Sequence, residues 1–260
     1  MPEPFLTQAW LSLSALAAGA VNSVAGGGTL LTFPALTAVV TPVVANGTST
    51  VALVPGSVAG AWGYRSEFRR VIRWAAILTG PSLVGGAVGT LLVTEFPESY
   101  FNVLVPWLIL TAALLFLLQP TLTRLTGAGK PRAKPSAGSL AGLVAFQFLV
   151  AVYGGYFGAG IGILMISSLS LMGAGDIHHA NALKTFLAAC INGVSVVVWV
   201  LNGKVNWDYV PVMAAAAIVG GYLGARVARR MPKNVVRWIV IGIGFTLAAY
   251  YFYKQLATAG

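Results

Sequence analysis

Two glycine clusters, Gly26-Gly27-Gly28-Thr29 and Gly158-Ala159-Gly160-Ile161-Gly162, interrupt apolar sequence and are the residues of this chain best suited to chemistry. Each precedes a short apolar arm, residues 29–40 and 161–172, of roughly twelve residues, which as a helix rises only about 18 Å and cannot span a bilayer core. A short arm beginning at a glycine cluster reads as a broken or re-entrant helix. The start of a helix leaves backbone N–H groups unpaired and bears a partial positive charge, so two converging starts form an anion site without any charged side chain. Glycine lets an oxyanion come close to the backbone. The expected backbone donors are Gly27, Gly28, Ala159 and Gly160, with Thr29 and Ile161 at the heads of the arms.

Polar side chains within the apolar segments complete the candidate set: Asn22, Ser23, Asn46, Thr48, Ser49 and Thr50, then Asn181, Lys184 and Thr185. Such groups are costly in hydrocarbon unless they face a cavity or a partner. Their hydroxyl and amide donors suit an oxyanion, which only accepts hydrogen bonds. Lys184 has two readings, a cation near the midplane that attracts the anion or a side chain that snorkels to the cytoplasmic interface. Thr79, Thr111 and Ser195 are expected to bond back to their own helices. His178 and His179 read as a solvated pair at a helix start, Cys190 as a small apolar residue, and Tyr153 and Tyr156 as packing or interfacial anchors. All six acidic residues (Glu3, Glu67, Glu95, Glu98, Asp176, Asp208) fall in predicted termini or loops, so no carboxylate is placed to relay protons through the core. No acid–base pair, metal-ligand cluster or nucleophile–base arrangement lies within the spans, so neither an enzyme nor a cofactor or metal is expected.

The elements that must hold these residues are membrane helices. With 57% hydrophobic and 8% charged residues, the chain has too little polar surface for a soluble domain of 260 residues. Apolar stretches of spanning length lie at 71–93, 98–118, 137–158, 180–201, 209–225 and 236–253, with a weaker one at 45–63. Residues 5–25 follow Glu3 and no basic region, and read as a membrane segment rather than a cleaved signal peptide. The formal charge of +10 sits in loops, which argues against nucleic acid as a partner. Loops 64–73, 119–136 and 226–237 carry net +3, +4 and +5 and should be cytoplasmic; loops 94–99 and 202–208, at −2 and zero, should face outward.

The chain also contains itself twice. Asn46, Thr50, Gly85, Gly86, Gly89 and Pro97 reappear 135 positions later as Asn181, Thr185, Gly220, Gly221, Gly224 and Pro232; Gly26 and Gly28 reappear as Gly158 and Gly160 at an offset of 132. Equivalent loops carry opposite charge, basic 64–73 matching neutral 202–208 and acidic 94–99 matching basic 226–237. The two copies are therefore expected to insert upside down relative to each other, an inverted-topology repeat with the substrate near the bilayer midplane. Residues 5–44 and 137–179 must each turn back as a hairpin at the glycine clusters. The expected fold is an all-α membrane protein with broken or re-entrant helices meeting near the midplane. Residues 1–118 form the first repeat, 119–136 a cytoplasmic linker and 137–260 the second, inverted repeat. The six glycines at 85, 86, 89, 220, 221 and 224 are expected to form packing faces.

The run Gly19-Ala20-Val21-Asn22-Ser23-Val24-Ala25-Gly26-Gly27-Gly28-Thr29 leading to Pro34, with Asn46-Gly47-Thr48-Ser49, Gly154-Gly155-Tyr156-Phe157-Gly158-Ala159-Gly160 and Asn181-Ala182-Leu183-Lys184, resembles the TauE/SafE sulfite exporter family of membrane permeases. The resemblance covers nearly the whole chain. It implies export, or less often uptake, of sulfite or small organosulfonates across a prokaryotic plasma membrane, and leaves the particular sulfur oxyanion open. Alternating access is the mechanism expected of an inverted repeat. An anion channel and a proton-coupled importer are the competing readings, and an intramembrane enzyme has no site to support it. An anion leaving a negative-inside cell gains about 2.3 kcal/mol per charge per 100 mV, so export needs no coupling ion. Membrane lipids are the other partners, and a homodimer stays open.

Overall fold

The computed structural model describes residues 4–24, 27–63, 65–125, 137–171, 177–227 and 233–259, and these form ten helices. They are α1 (Pro4–Val24), α2 (Thr29–Leu36), α3 (Pro42–Gly63), α4 (Arg65–Glu95), α5 (Glu98–Leu125), α6 (Ala137–Tyr156), α7 (Ile161–Leu171), α8 (Ile177–Leu201), α9 (Val210–Val227) and α10 (Lys233–Ala259). Among the described residues there is no strand. Five helices have segments long and apolar enough to cross a membrane, Arg65–Glu95, Glu98–Leu122, Gly138–Tyr156, His179–Leu201 and Arg237–Ala257. The chain is a multi-pass, all-α membrane protein.

Local sequence sets most boundaries. Pro42 opens α3, where a missing N–H costs nothing, and Thr41 before it is held out of the helical region. Glu98 begins α5 and Arg124 ends it, each charge complementing the dipole at its end. Two expected boundaries are corrected. Residues 65–73 belong to the first turns of α4 rather than to a loop, and α5 continues past residue 118 to Leu125. Arginine and leucine propagate a helix readily, and a 31-residue α4 extends about 46 Å, beyond the ~30 Å of hydrocarbon, so its basic end can stand in the polar interface while still helical. Lys130, Arg132, Lys134, Arg229 and Arg230 lie outside the described residues, and the expected loop 226–237 is shortened by α10, which already begins at Lys233. The arm α2 stops at Leu36, four residues earlier than expected, where its carbonyl accepts from the Val39 and Val40 amides in a turn.

Most helix pairing is retained when α1–α5 are exchanged for α6–α10, although α3–α4, α3–α5 and α4–α5 contacts have no equal in the second half among the described residues. The helix α1 packs on α9 as α6 packs on α4; α3 meets α9 as α8 meets α4; α2 touches α10 as α7 touches α5; and α3–α8 and α5–α10 pair across the two halves. Glycine makes the closest of these contacts. A β-carbon on Gly85 would lie 2.7 Å from the Phe148 carbonyl oxygen, and one on Gly89 or Gly155 would overlap the backbone at Val152 or Gly86. On the other side, one on Gly220 would overlap the Leu16 carbonyl and one on Gly19 the Ala217 carbonyl. In lipid, where association relies on close packing, such small-residue faces hold helices together.

The two connections expected to face outward meet at one end of the bundle. Lys204 Nζ lies 3.5 Å from Glu98 Oε1, and the Asn206 amide donates to Thr48 Oγ1 at 2.9 Å.

Candidate functional site

Both expected helix breaks are present. The helix α1 ends at Val24 and α2 restarts at Thr29; α6 ends at Tyr156 and α7 restarts at Ile161. The chain turns through positive φ at Gly27 (105°), Gly158 (81°) and Gly160 (80°), conformations that cost an L side chain about 1–2 kcal/mol. The breaks come together. A β-carbon on Gly27 would stand 3.8 Å from the Gly160 amide nitrogen, and the same β-carbon would press on the Phe116 ring of α5. Gly160 neighbours Ala112 and Leu115, so both breaks flank the middle third of α5.

One face of α3 spans the pair. Asn46 Nδ2 donates to the Tyr156 carbonyl at 2.8 Å, at the last residue of α6, and one turn on, Ser49 and Thr32 hydroxyls pair at 2.6 Å in the first turns of α2. Asn46, Ser49 and Thr32 are all fully buried or nearly so. The Tyr153 hydroxyl donates to the Ala159 carbonyl at 2.8 Å and so ties the turn to α6. The sequence treats Tyr153 as an anchor or packing residue; a phenol within an apolar span, whose O–H must find an acceptor, was the available signal for this role.

Lys184 lies within this group. Its Cδ and Nζ would be 3.2 and 3.8 Å from a β-carbon on Gly162, in the first turn of α7. The Lys184 stem lies along the first turn of α7. The ammonium therefore stands beside a helix start, where the dipole is also positive. The described carboxylates, Glu67, Glu95, Glu98 and Asp208, all sit near helix ends or in connections.

Other candidates are placed differently from expectation. Asn22 Oδ1 accepts the Gly28 amide at 2.7 Å, so that donor is already occupied by a side chain. Gly28 itself has an ordinary helical φ of −55°; what it needs is room, since a β-carbon would fall 2.7 Å from the Ala18 carbonyl oxygen. Thr48 is turned to the 202–208 connection rather than to the breaks. Thr50 and Thr185 donate to the carbonyls of Asn46 and Asn181 at 2.8 Å, as Thr79 does to Ala75. Ser195 does not bond back; it accepts from Thr90 Oγ1 at 2.8 Å across α4 and α8, while Thr90 also reaches Gly155 on α6. Thr29 and Asn181 are half-buried and Ile161 is buried. Gly26, Asp176 and the side chains of Ser23 and His178 lie outside the described residues.

Fold and site together define a polytopic helical membrane protein with irregular, polar backbone at its centre. The chain belongs to the Sulfite exporter TauE/SafE family, whose model matches residues 11–251. It is 29% identical over 237 residues to a probable membrane transporter protein of Haemophilus influenzae, covering 90% of each chain. It is 26% identical over 244 residues to the probable membrane transporter protein YfcA of Escherichia coli, covering 93% of this chain and 88% of the relative. A third relative, the probable membrane transporter protein YunE of Bacillus subtilis, is 27% identical over 259 residues, with 89% and 94% covered. No solved structure matches the chain. The protein is a membrane transporter.

Proposed function

We propose that this transporter is a secondary carrier that exports sulfite or a small organosulfonate by alternating access, with the anion held between the two helix breaks. The observation that carries the reading is the meeting of two helix starts with the Lys184 ammonium at Gly162. Three positive elements at one place make a setting that an oxyanion would fill. The family description supplies the sulfur chemistry. Pairing that is mostly retained on exchange of the two halves supports reading residues 1–118 and 137–260 as repeats, and the loop charges support their inversion.

Binding of sulfite, thiosulfate, sulfoacetate, sulfate and taurine to purified protein, followed by flux in proteoliposomes, tests this. Saturable sulfite or sulfonate flux with counterflow is expected. Flux without counterflow would identify a channel, and no binding of any member would remove the anion site. Orientation is tested by single cysteines in a Cys190→Ser background: an impermeant thiol reagent should label position 96 and spare position 130 in intact cells.

A further inference from the structure

The carboxamide of Asn46 is half used. Its nitrogen donates to the Tyr156 carbonyl, and because a carbonyl only accepts, this fixes which amide atom points where. The oxygen, Oδ1, is buried and has no hydrogen-bond partner, in a residue only 1% exposed. Neighbouring hydroxyls bond elsewhere: Thr32 and Ser49 to each other and Thr50 to the Asn46 backbone carbonyl, while Thr48 accepts the Asn206 amide and so is turned to that connection. A buried acceptor without a partner is rare in a folded protein and costs free energy comparable to a lost hydrogen bond.

Its position gives it meaning. Asn46 sits on the α3 face that touches the end of α6 and, one turn on, the first turn of α2, beside both breaks. The rest of that site is positive: the start of α7, which stands against the first break, and the ammonium of Lys184. An anion with acceptor oxygens alone would answer those positive elements and leave Asn46 Oδ1 facing negative charge. An anion that also carries a proton would answer both.

Resting on the anion site proposed above, we infer that Asn46 is a specificity residue whose Oδ1 accepts a hydrogen bond from the cargo. The preferred cargo then bears its own O–H or N–H: a protonated monoanion, or a hydroxy- or amino-substituted sulfonate, rather than a fully deprotonated oxyanion. A site built to pair with a substrate donor rejects the analogue lacking it, because its own acceptor is then left empty.

The test compares matched anions on the purified wild-type protein. Isethionate and ethanesulfonate differ by one hydroxyl, and isethionate should bind at least about tenfold tighter. Sulfite binding should weaken as pH rises through its conversion from hydrogen sulfite, while methanesulfonate, acceptor-only throughout, controls for titration of the protein. Preference in the first pair alone assigns the donor to a substituted sulfonate; preference in the second alone assigns it to a protonated oxyanion. Asn46→Leu, if it folds without its Tyr156 contact, should bind isethionate and ethanesulfonate alike. Equal binding of both pairs by the wild-type protein overturns the inference, as does a folded Asn46→Leu that keeps the preference. Sodium-dependent binding without donor preference would overturn it too, giving the oxygen to a cation. If no anion binds at all, the site itself falls, and this inference with it.

Discussion

The two helix breaks are built alike in backbone and differently in side chains. At the first, Asn22 occupies the Gly28 amide and the Thr32 and Ser49 hydroxyls pair with each other. That break answers its own polar groups. At the second, two glycines in succession of three residues adopt positive φ, Tyr153 holds the turn, and Lys184 adds a charge beside the new helix. The difference teaches that one device, a helix restarted inside the bundle, serves two ends: the first break is a braced support and the second keeps charge available. On this view anion affinity resides mostly in the second.

Substituting one glycine in each break separates the roles most sharply. Gly28→Val places a branched side chain against the Ala18 carbonyl, rigid backbone that cannot yield, and should prevent recovery of folded protein on size exclusion. Gly160→Val meets only ordinary contacts at 3.4 Å and beyond from Leu115 and Ala112, yet forces a β-branched residue into φ 80°. It should fold with a loss of about 1–2 kcal/mol and abolish anion binding. A Gly160→Val protein that binds and transports normally would take the second break out of the mechanism.

Next in size is the charge. Lys184→Gln should weaken anion binding about tenfold, equivalent to about 1.4 kcal/mol, and the loss should persist at high salt because the partner is buried. Lys184→Arg should not restore it, since a planar guanidinium cannot lie along Gly162 as the flexible stem of lysine does. Titration at two salt concentrations measures both.

Asn22→Ala tests the braced break. It strips the acceptor from Gly28 and should cost about 1 kcal/mol of stability, read as a lower melting temperature, with anion affinity changing less than in Lys184→Gln. An equal loss of affinity would show that both breaks hold the anion and would erase the contrast drawn above.

The positions of the breaks were legible in sequence because glycine clusters ahead of arms too short to span have few other uses in a membrane. So were the packing faces, since Gly85 and Gly89 repeat at helical spacing and recur in the second half. Side-chain partnerships were not legible. Nothing in the order of residues says that Asn22 reaches Gly28, that Asn46 reaches Tyr156 across 110 positions, or that Thr48 turns to Asn206, because these depend on which helices become neighbours. Charge misled on where helices end: a basic run marks the membrane interface, and such a run can be helical there, as residues 65–73, 119–125 and 233–237 are.

The smallest effect is expected where the halves meet at the outer end. Glu98 begins α5 in the first half, Lys204 lies between α8 and α9 in the second, and their ion pair at 3.5 Å is about one-third exposed on each side. Solvent screens such a pair, so it contributes about 0–1 kcal/mol and less as salt rises. Glu98→Gln should therefore lower the melting temperature by little at low salt and not at all at high salt, and leave anion affinity unchanged, because the pair joins two connections between long helices rather than the helix breaks. What it should change is exchange at the outer face. Lys204, through its carbonyl, abuts Gly47 of α3, one residue from Asn46, so loosening the connection frees the end of the bundle through which, on the proposed reading, an exported anion would leave. Counterflow in proteoliposomes should quicken in Glu98→Gln at low salt and converge with wild type at high salt. If affinity falls instead, the site extends to the outer connection and the second break does not hold the anion alone.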